Sequence, residues 1–263
     1  MLRPIYASLG FLERYLYLIK RYLGWELVFL LYQIVNALTI ALIGVASGNP
    51  QAVLYLTVGA LLWGFLSVLF NEVGAIIAIE RWEGTIEYSL MAPIPRSVHL
   101  LSLCAGAAVY GLLRTLVVLV AMAFFLNLDL SHANLFTALA VLLASSLSFI
   151  GLGLVAAVLP LLSPDRGAQA SHIFQALILL ISGVYYEITI LPPMLQKLAM
   201  LSPATYALEA MRKALLHGAS LAEVTPTLVL LTVMGLALFP VGLWVFGLGE
   251  RYAMRHGGLS RKG

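Results

Sequence analysis

Apolar residues run through this chain in six long stretches, at about 26–46, 53–79, 100–126, 134–162, 170–191 and 225–248, with short polar breaks between them. A helix rises about 1.5 Å per residue, so crossing a hydrocarbon layer takes roughly 20 apolar residues, and each stretch is long enough. Only helices or closed barrels satisfy their backbone hydrogen bonds in lipid. Barrel strands alternate apolar and polar positions over about ten residues, and these runs are longer and uninterrupted. The pattern therefore predicts an all-α integral membrane protein with six transmembrane helices.

Three segments depart from that pattern. Over 2–23, Ile5, Leu9, Leu12, Leu16, Ile19 and Leu23 recur at spacings of three and four, while Glu13, Arg14, Lys20 and Arg21 fall off the stripe. This spacing predicts an amphipathic helix lying in the membrane interface, with basic residues available to lipid phosphates. The alternative is a helix that simply continues the first span. Gly24 is a natural break, dividing an interfacial helix at 1–24 from a six-span domain at 25–263. No short apolar region leads to a small-residue cleavage site, so the start does not read as a signal peptide.

The second segment, 80–96, joins the second and third stretches. At about 100° per residue Glu80, Glu83 and Glu87 share one arc, with Trp82, Ile86 and Leu90 on the neighbouring one, and Pro93 and Pro95 stop the helix. A short helix with an acidic edge and an aromatic-aliphatic edge suits a groove on another protein. Equally, it reads as a solvated turn anchored at the interface by Trp82. The third segment, about 184–218, carries Leu191, Pro192 and Pro193, then Ser202 and Pro203, which bound two short helical pieces. These are too short and polar to span, and Glu187 predicts a chain that turns back at the interface, as a re-entrant hairpin.

Composition sharpens the membrane assignment. Of 263 residues, 62% are hydrophobic and 10% charged, against about 25% charged in soluble domains. The net charge of +3 is gathered at a few points, which orients a chain in a membrane and leaves no nucleic-acid footprint. Eleven of the fifteen Lys and Arg fall before the first span, between the second and third, between the fourth and fifth, and after the last. Those segments, both termini included, are expected on the cytoplasmic side. The loops 47–52 and 127–133 contain none, whereas 192–224 holds Lys197, Arg212 and Lys213 as the exception.

Site chemistry is sparse. There is no phosphate-cradling Gly-x-x-x-x-Gly-Lys-Ser/Thr loop, and the five His residues lie scattered. Neither a catalytic group nor a metal site is expected, and the lone Cys104 forms no intrachain disulfide. Polar residues inside spans carry more information: Gln33 and Asn36 in the first, Glu72 in the second, Arg114 in the third. A charge at mid-membrane opposes insertion by roughly 2.5–3.5 kcal/mol on translocon scales, so these side chains should face protein or water. They either lock helices together and reach headgroups, or they line a transport path or subunit seam. A self-sufficient ion-coupled carrier or intramembrane enzyme using Glu72 and Arg114 is the competing reading.

Residues Glu80 and Arg81, then Gly84, Thr85, Ile86 and Glu87, then Leu90, Pro93 and Arg96 resemble the loop after the second span of permease subunits in type-2 ATP-binding-cassette exporters. Ser182 to Tyr186, Leu191 to Pro193, and Leu201 to Arg212 resemble the fifth-span exit and outer hairpin of the same family. The resemblance implies a bacterial or archaeal cytoplasmic-membrane permease moving an amphipathic or lipid-linked substrate outward. It would form a homodimer, or a heterodimer of two such permeases, over two separate ATPase subunits that hold the ATP and magnesium. Glu80, Trp82, Glu83, Gly84, Thr85, Ile86, Glu87, Pro93 and Arg96 would then form the coupling helix seated in the ATPase. Tyr185, Tyr186, Glu187, Pro192, Pro193 and Tyr206 would shape the external gate.

Overall fold

The computed structural model describes residues 3–84, 91, 96–128 and 130–255. Among them the chain is helical with no strand. In order come α1 (Arg3–Arg21), α2 (Leu23–Ala46), α3 (Pro50–Trp82), α4 (Arg96–Leu126), α5 (Leu135–Leu162), α6 (Pro164–Ile181), a 3-10 turn (Ile188–Ile190), α7 (Pro193–Ala199), α8 (Pro203–Leu216) and α9 (Leu221–Arg255).

Five of the six predicted spans coincide with helices long and apolar enough to cross a membrane: α2, the Pro50–Ile76 part of α3, the Val98–Leu126 part of α4, α5 and α9. The stretch predicted at 170–191 differs. Its apolar helix, Gln169–Ile181, is shorter than the others. Ser182 turns its hydroxyl back onto the Ile178 carbonyl at 2.6 Å, and Gly183 follows at φ +67°, a left-handed backbone that ends a helix at no steric cost. The residues beyond are irregular or 3-10, and the apolar composition of 182–191 hides that stop.

α5 is the central helix, packed most extensively against α9 and then α3. Its inner face is built from small residues, Ser145, Ser146, Ser148, Gly151 and Gly153, all buried. Ser148 donates to the Leu231 carbonyl at 3.0 Å, and a Cβ added at Gly151 would stand 2.7 Å from the Leu238 carbonyl carbon. Backbones can approach this closely only where side chains are small, which is how helices gain packing energy in lipid. The start of α5 is fixed by Asn134. Its side chain accepts from the Thr137 amide at 3.0 Å, and its own amide donates to Ala214 of α8 at 2.9 Å.

The N-terminal helix α1 lies chiefly on α4. Its docked face carries Tyr15, buried beside Ile76 and Leu103 and edge-on to Tyr110 at 6.2 Å; Phe11 meets His99 at 4.5 Å. Leu16 and Leu23 of the predicted stripe stay exposed. The apolar surface of α1 is thus wider than the stripe: Phe11 and Tyr15 meet protein beside the half-buried Leu12, while Leu16 remains exposed. Along α2, Trp25, Phe29 and Tyr32 are exposed, an apolar face of the kind that meets lipid or another chain.

Candidate functional site

The polar residues of the spans gather where α1, α2, α3 and α4 converge. Tyr15 donates its hydroxyl to Glu72 at 2.8 Å. Tyr110 donates to Glu26 in a very short hydrogen bond. Arg114, one helical turn on, gives Nη1 to the Tyr110 hydroxyl at 3.0 Å and Nη2 to the Phe29 carbonyl at 2.6 Å. Glu26 and Arg114 therefore share one tyrosine, and no direct ion pair joins Glu72 to Arg114 among the described residues. On α1, burial and then the Glu72 carboxylate push the Tyr15 hydroxyl above its ordinary pKa.

Gln33 and Asn36 behave differently from each other. Gln33 packs over Gly64, where an added Cβ would strike its amide nitrogen, and its Oε1 is buried without a hydrogen-bond partner. That orphan acceptor sits at the α2–α3 contact. Asn36 is exposed and spends its amide on Tyr32 one turn back, at 2.9 Å. Beside Glu72, Asn71 reaches Gln175 of α6 at 2.9 Å, so α3 holds α6 through one amide and α1 through one carboxylate.

A cavity of about 490 Å³ opens between α1, α2 and α4, walled by Leu12, Leu16, Leu27 and Val109 among others, with Glu26, Tyr110 and Arg114 on its surface. Ligand cavities run from about 300 to 1,000 Å³ and combine apolar walls with a few placed polar groups. This one has that character.

Near the predicted coupling segment, the side chains of Glu80, Trp82 and Arg96, and all of Thr85, Ile86, Glu87 and Pro93, lie outside the described residues. Glu83 is described: Tyr22 donates to it at 3.0 Å, and Arg21 lies at 3.4 Å. The end of α3 is thereby tied to the junction of α1 and α2, and the hydrogen bond to Glu83 raises the Tyr22 pKa. Glu83 faces a partner inside the chain as well as standing in the arc expected to meet another protein. Gly84 follows at φ +71°, so the chain turns sharply where a β-carbon would be strained.

At the opposite end of α3 the predicted gate residues separate. Tyr185 is half-buried against the core, whereas Tyr186 bonds the Leu180 carbonyl. Tyr206 donates to Met200 at 2.8 Å. Glu187 and Pro192 flank the 3-10 turn and Pro193 opens α7. Ser182 and Ser202 join their hydroxyls at 2.8 Å, clasping the end of α6 to the start of α8.

Sequence reading missed Tyr15, Glu26 and Tyr110. Tyr110 was findable, since it precedes Arg114 by the four residues that put two side chains on one helix face. Tyr15 and Glu72 are 57 residues apart, and no local signal links them.

A family model described as ABC-2 type transporter matches residues 16–216. The chain is 26% identical over 158 residues to the inner membrane transport permease YadH of Escherichia coli K12, and equally so to that of Shigella flexneri. The alignment covers 60% of this chain and 60% of each relative, so it spans somewhat under two thirds of their length. The family match begins inside α1, ends at the last residue of α8, and takes in the polar convergence from Glu26 to Arg114 but not Tyr15, which lies one residue before it. By that coverage, and on an architecture of long apolar helices, the chain belongs to the ABC-2 type transporter family.

Proposed function

We propose that this chain is the transmembrane permease of an ATP-driven exporter that moves an amphipathic or lipid-linked substrate (drug, lipid or glycan) out of the cytoplasm. The observation that carries the reading is the cavity between α1, α2 and α4, apolar along its length and polar at Glu26, Tyr110 and Arg114. A substrate with a greasy body and a polar head fits that division, and the cavity borders the interfacial helix from which such a substrate would enter. YadH, a transport permease by name, agrees with this reading.

In this scheme α1 lies in the inner interface as an amphipathic helix, and α6 with the 182–191 segment completes a sixth span. Both termini and the 80–96 loop are cytoplasmic, and α7 and α8 form an external hairpin with Tyr185, Tyr186, Glu187, Pro192, Pro193 and Tyr206 about the gate. ATP and magnesium bind a separate ATPase, and two permease copies assemble over two ATPases in the cytoplasmic membrane. The loop 80–96 seats in the ATPase. Its movement passes into α3, a rod of 33 residues that spans about 50 Å at ~1.5 Å per residue.

Because Glu83 already holds Tyr22 and Arg21, the docking surface is tested at its neighbours. Trp82→Ala with Glu87→Lys should reduce co-purification of the ATPase and abolish stimulated hydrolysis while the permease still inserts and dimerises. Wild-type co-purification together with wild-type transport would reject the coupling role. A self-sufficient carrier, by contrast, would be indifferent to the ATPase altogether.

A further inference from the structure

At the end of the bundle opposite Trp82, a second and polar pocket of about 270 Å³ opens between α3, the residues after α6, and α8. Arg212 forms its inner wall. The guanidinium carbon lies 3.5 Å from the centre of the Tyr55 ring, and Nη2 donates to the carbonyls of Val184 at 2.8 Å and Gly183 at 3.3 Å. Its Nε is buried without an acceptor, and so is the hydroxyl oxygen of Thr205, one face of α8 supplying both. Among the described residues no carboxylate pairs with Arg212. Lys213 is already matched, holding Glu209 at 2.7 Å.

The unmatched anion of the same pocket is Glu187. It is exposed at the rim and accepts only from Thr189, at 3.3 Å, and no cation pairs with it among the described residues. Two opposite charges thus line one pocket with no direct ion pair between them, the Glu187 carboxylate acting on Arg212 only across the pocket. Charges held apart in a concave site select a ligand that brings both complements. A simple anion would satisfy Arg212 and be repelled by Glu187. A simple cation would do the reverse.

We propose that this pocket binds a zwitterion, with an anionic oxygen group on Arg212 and Thr205 and a primary ammonium on Glu187. Tyr186 closes one side. The volume lies just under the roughly 300–1,000 Å³ of ordinary ligand pockets, so it takes a headgroup or a small solute and no lipid tail. Phosphoethanolamine headgroups and free α-amino acids share this chemistry. The assignment concerns binding and stands whether or not the chain transports.

Calorimetric titration of the purified full chain in detergent, with glycerophosphoethanolamine, glycine and inorganic phosphate as probes, tests it. A zwitterion should bind saturably, and Glu187→Gln, an exposed change that leaves the fold alone, should weaken it at least fivefold while leaving phosphate unchanged or tighter. Arg212→Lys should weaken both zwitterion and phosphate. Tighter glycerophosphoethanolamine identifies a lipid headgroup and tighter glycine a free amino acid; either upholds the site. Absence of saturable zwitterion binding to folded wild-type protein, or unchanged zwitterion affinity in Glu187→Gln, would overturn it.

Discussion

The Tyr15 hydroxyl and the Glu72 carboxylate, 57 residues apart, meet at 2.8 Å. This one hydrogen bond fastens the N-terminal helix to the second span. Glu72 has no other hydrogen-bond donor among the described residues, so the link holds the position of α1 and the solvation of a carboxylate together. Hydrogen bonds between membrane helices average about 0.6 kcal/mol in double-mutant cycles and reach about 1.7. A cycle of Tyr15→Phe and Glu72→Leu should return a coupling energy in that range, measured as thermal stability in detergent. Additive effects of the two changes would show that the pair contributes nothing.

Arg114→Leu should impair transport or assembly far more than Lys197→Leu. Arg114 serves the Phe29 carbonyl and the Tyr110 hydroxyl, and removing it takes the one cation from the Glu26–Tyr110 pair, where a hydrogen bond to a charged group contributes about 1.5–3 kcal/mol. Lys197 is exposed in α7. Membrane-fraction yield and transport rate of the two variants, side by side, check this. Equal values would reduce Arg114 to a residue that merely reaches for headgroups.

Gly151→Leu should destabilise the bundle, because the new side chain would enter the Leu238 backbone of α9. Overpacking of this kind costs about 1–3 kcal/mol, and more where backbone must move. Gly10→Leu meets nothing within 4 Å and serves as the control. A thermal midpoint for Gly151→Leu equal to that of the control would mean the α5–α9 contact is looser than described.

A single cysteine at Ser131 in a Cys104→Ala background should label only from outside, and one placed at Glu83 only from the cytoplasm. Cys104 is buried, and alanine keeps that site apolar while removing the one thiol. Labelling of the Ser131 cysteine from the cytoplasmic side alone would invert the topology.

The long helices were legible because lipid enforces length and apolarity on the sequence itself: α2 through α5 and α9 lie where the apolar runs lie. Over 170–191 the apolar helix stops at Ile181, where Gly183 takes a left-handed backbone, and of the residues beyond only Val184 and Tyr185 join the core cluster, a stop that apolar composition does not reveal. The site was legible by residue type and illegible by partner. Arg114 and Glu72 stand out as charges within spans, yet their partners Tyr110, Glu26 and Tyr15 are ordinary residues made important by contact between distant segments. Glu83 shows the converse. Its place on an acidic arc was visible, but its tie to Tyr22 and Arg21 depends on how α1 folds back beside the end of α3.

Transport in proteoliposomes tests the central claim most directly. Purified permease would be reconstituted with and without its ATPase partner around a fluorescent amphipathic substrate, and movement followed under ATP or under an imposed proton gradient. The account predicts substrate movement away from the ATPase-bearing face only when both the ATPase and ATP are present, with none driven by the gradient. Gradient-driven movement by the permease alone would contradict it, and would make Glu72 and Arg114 the machinery of a self-sufficient carrier.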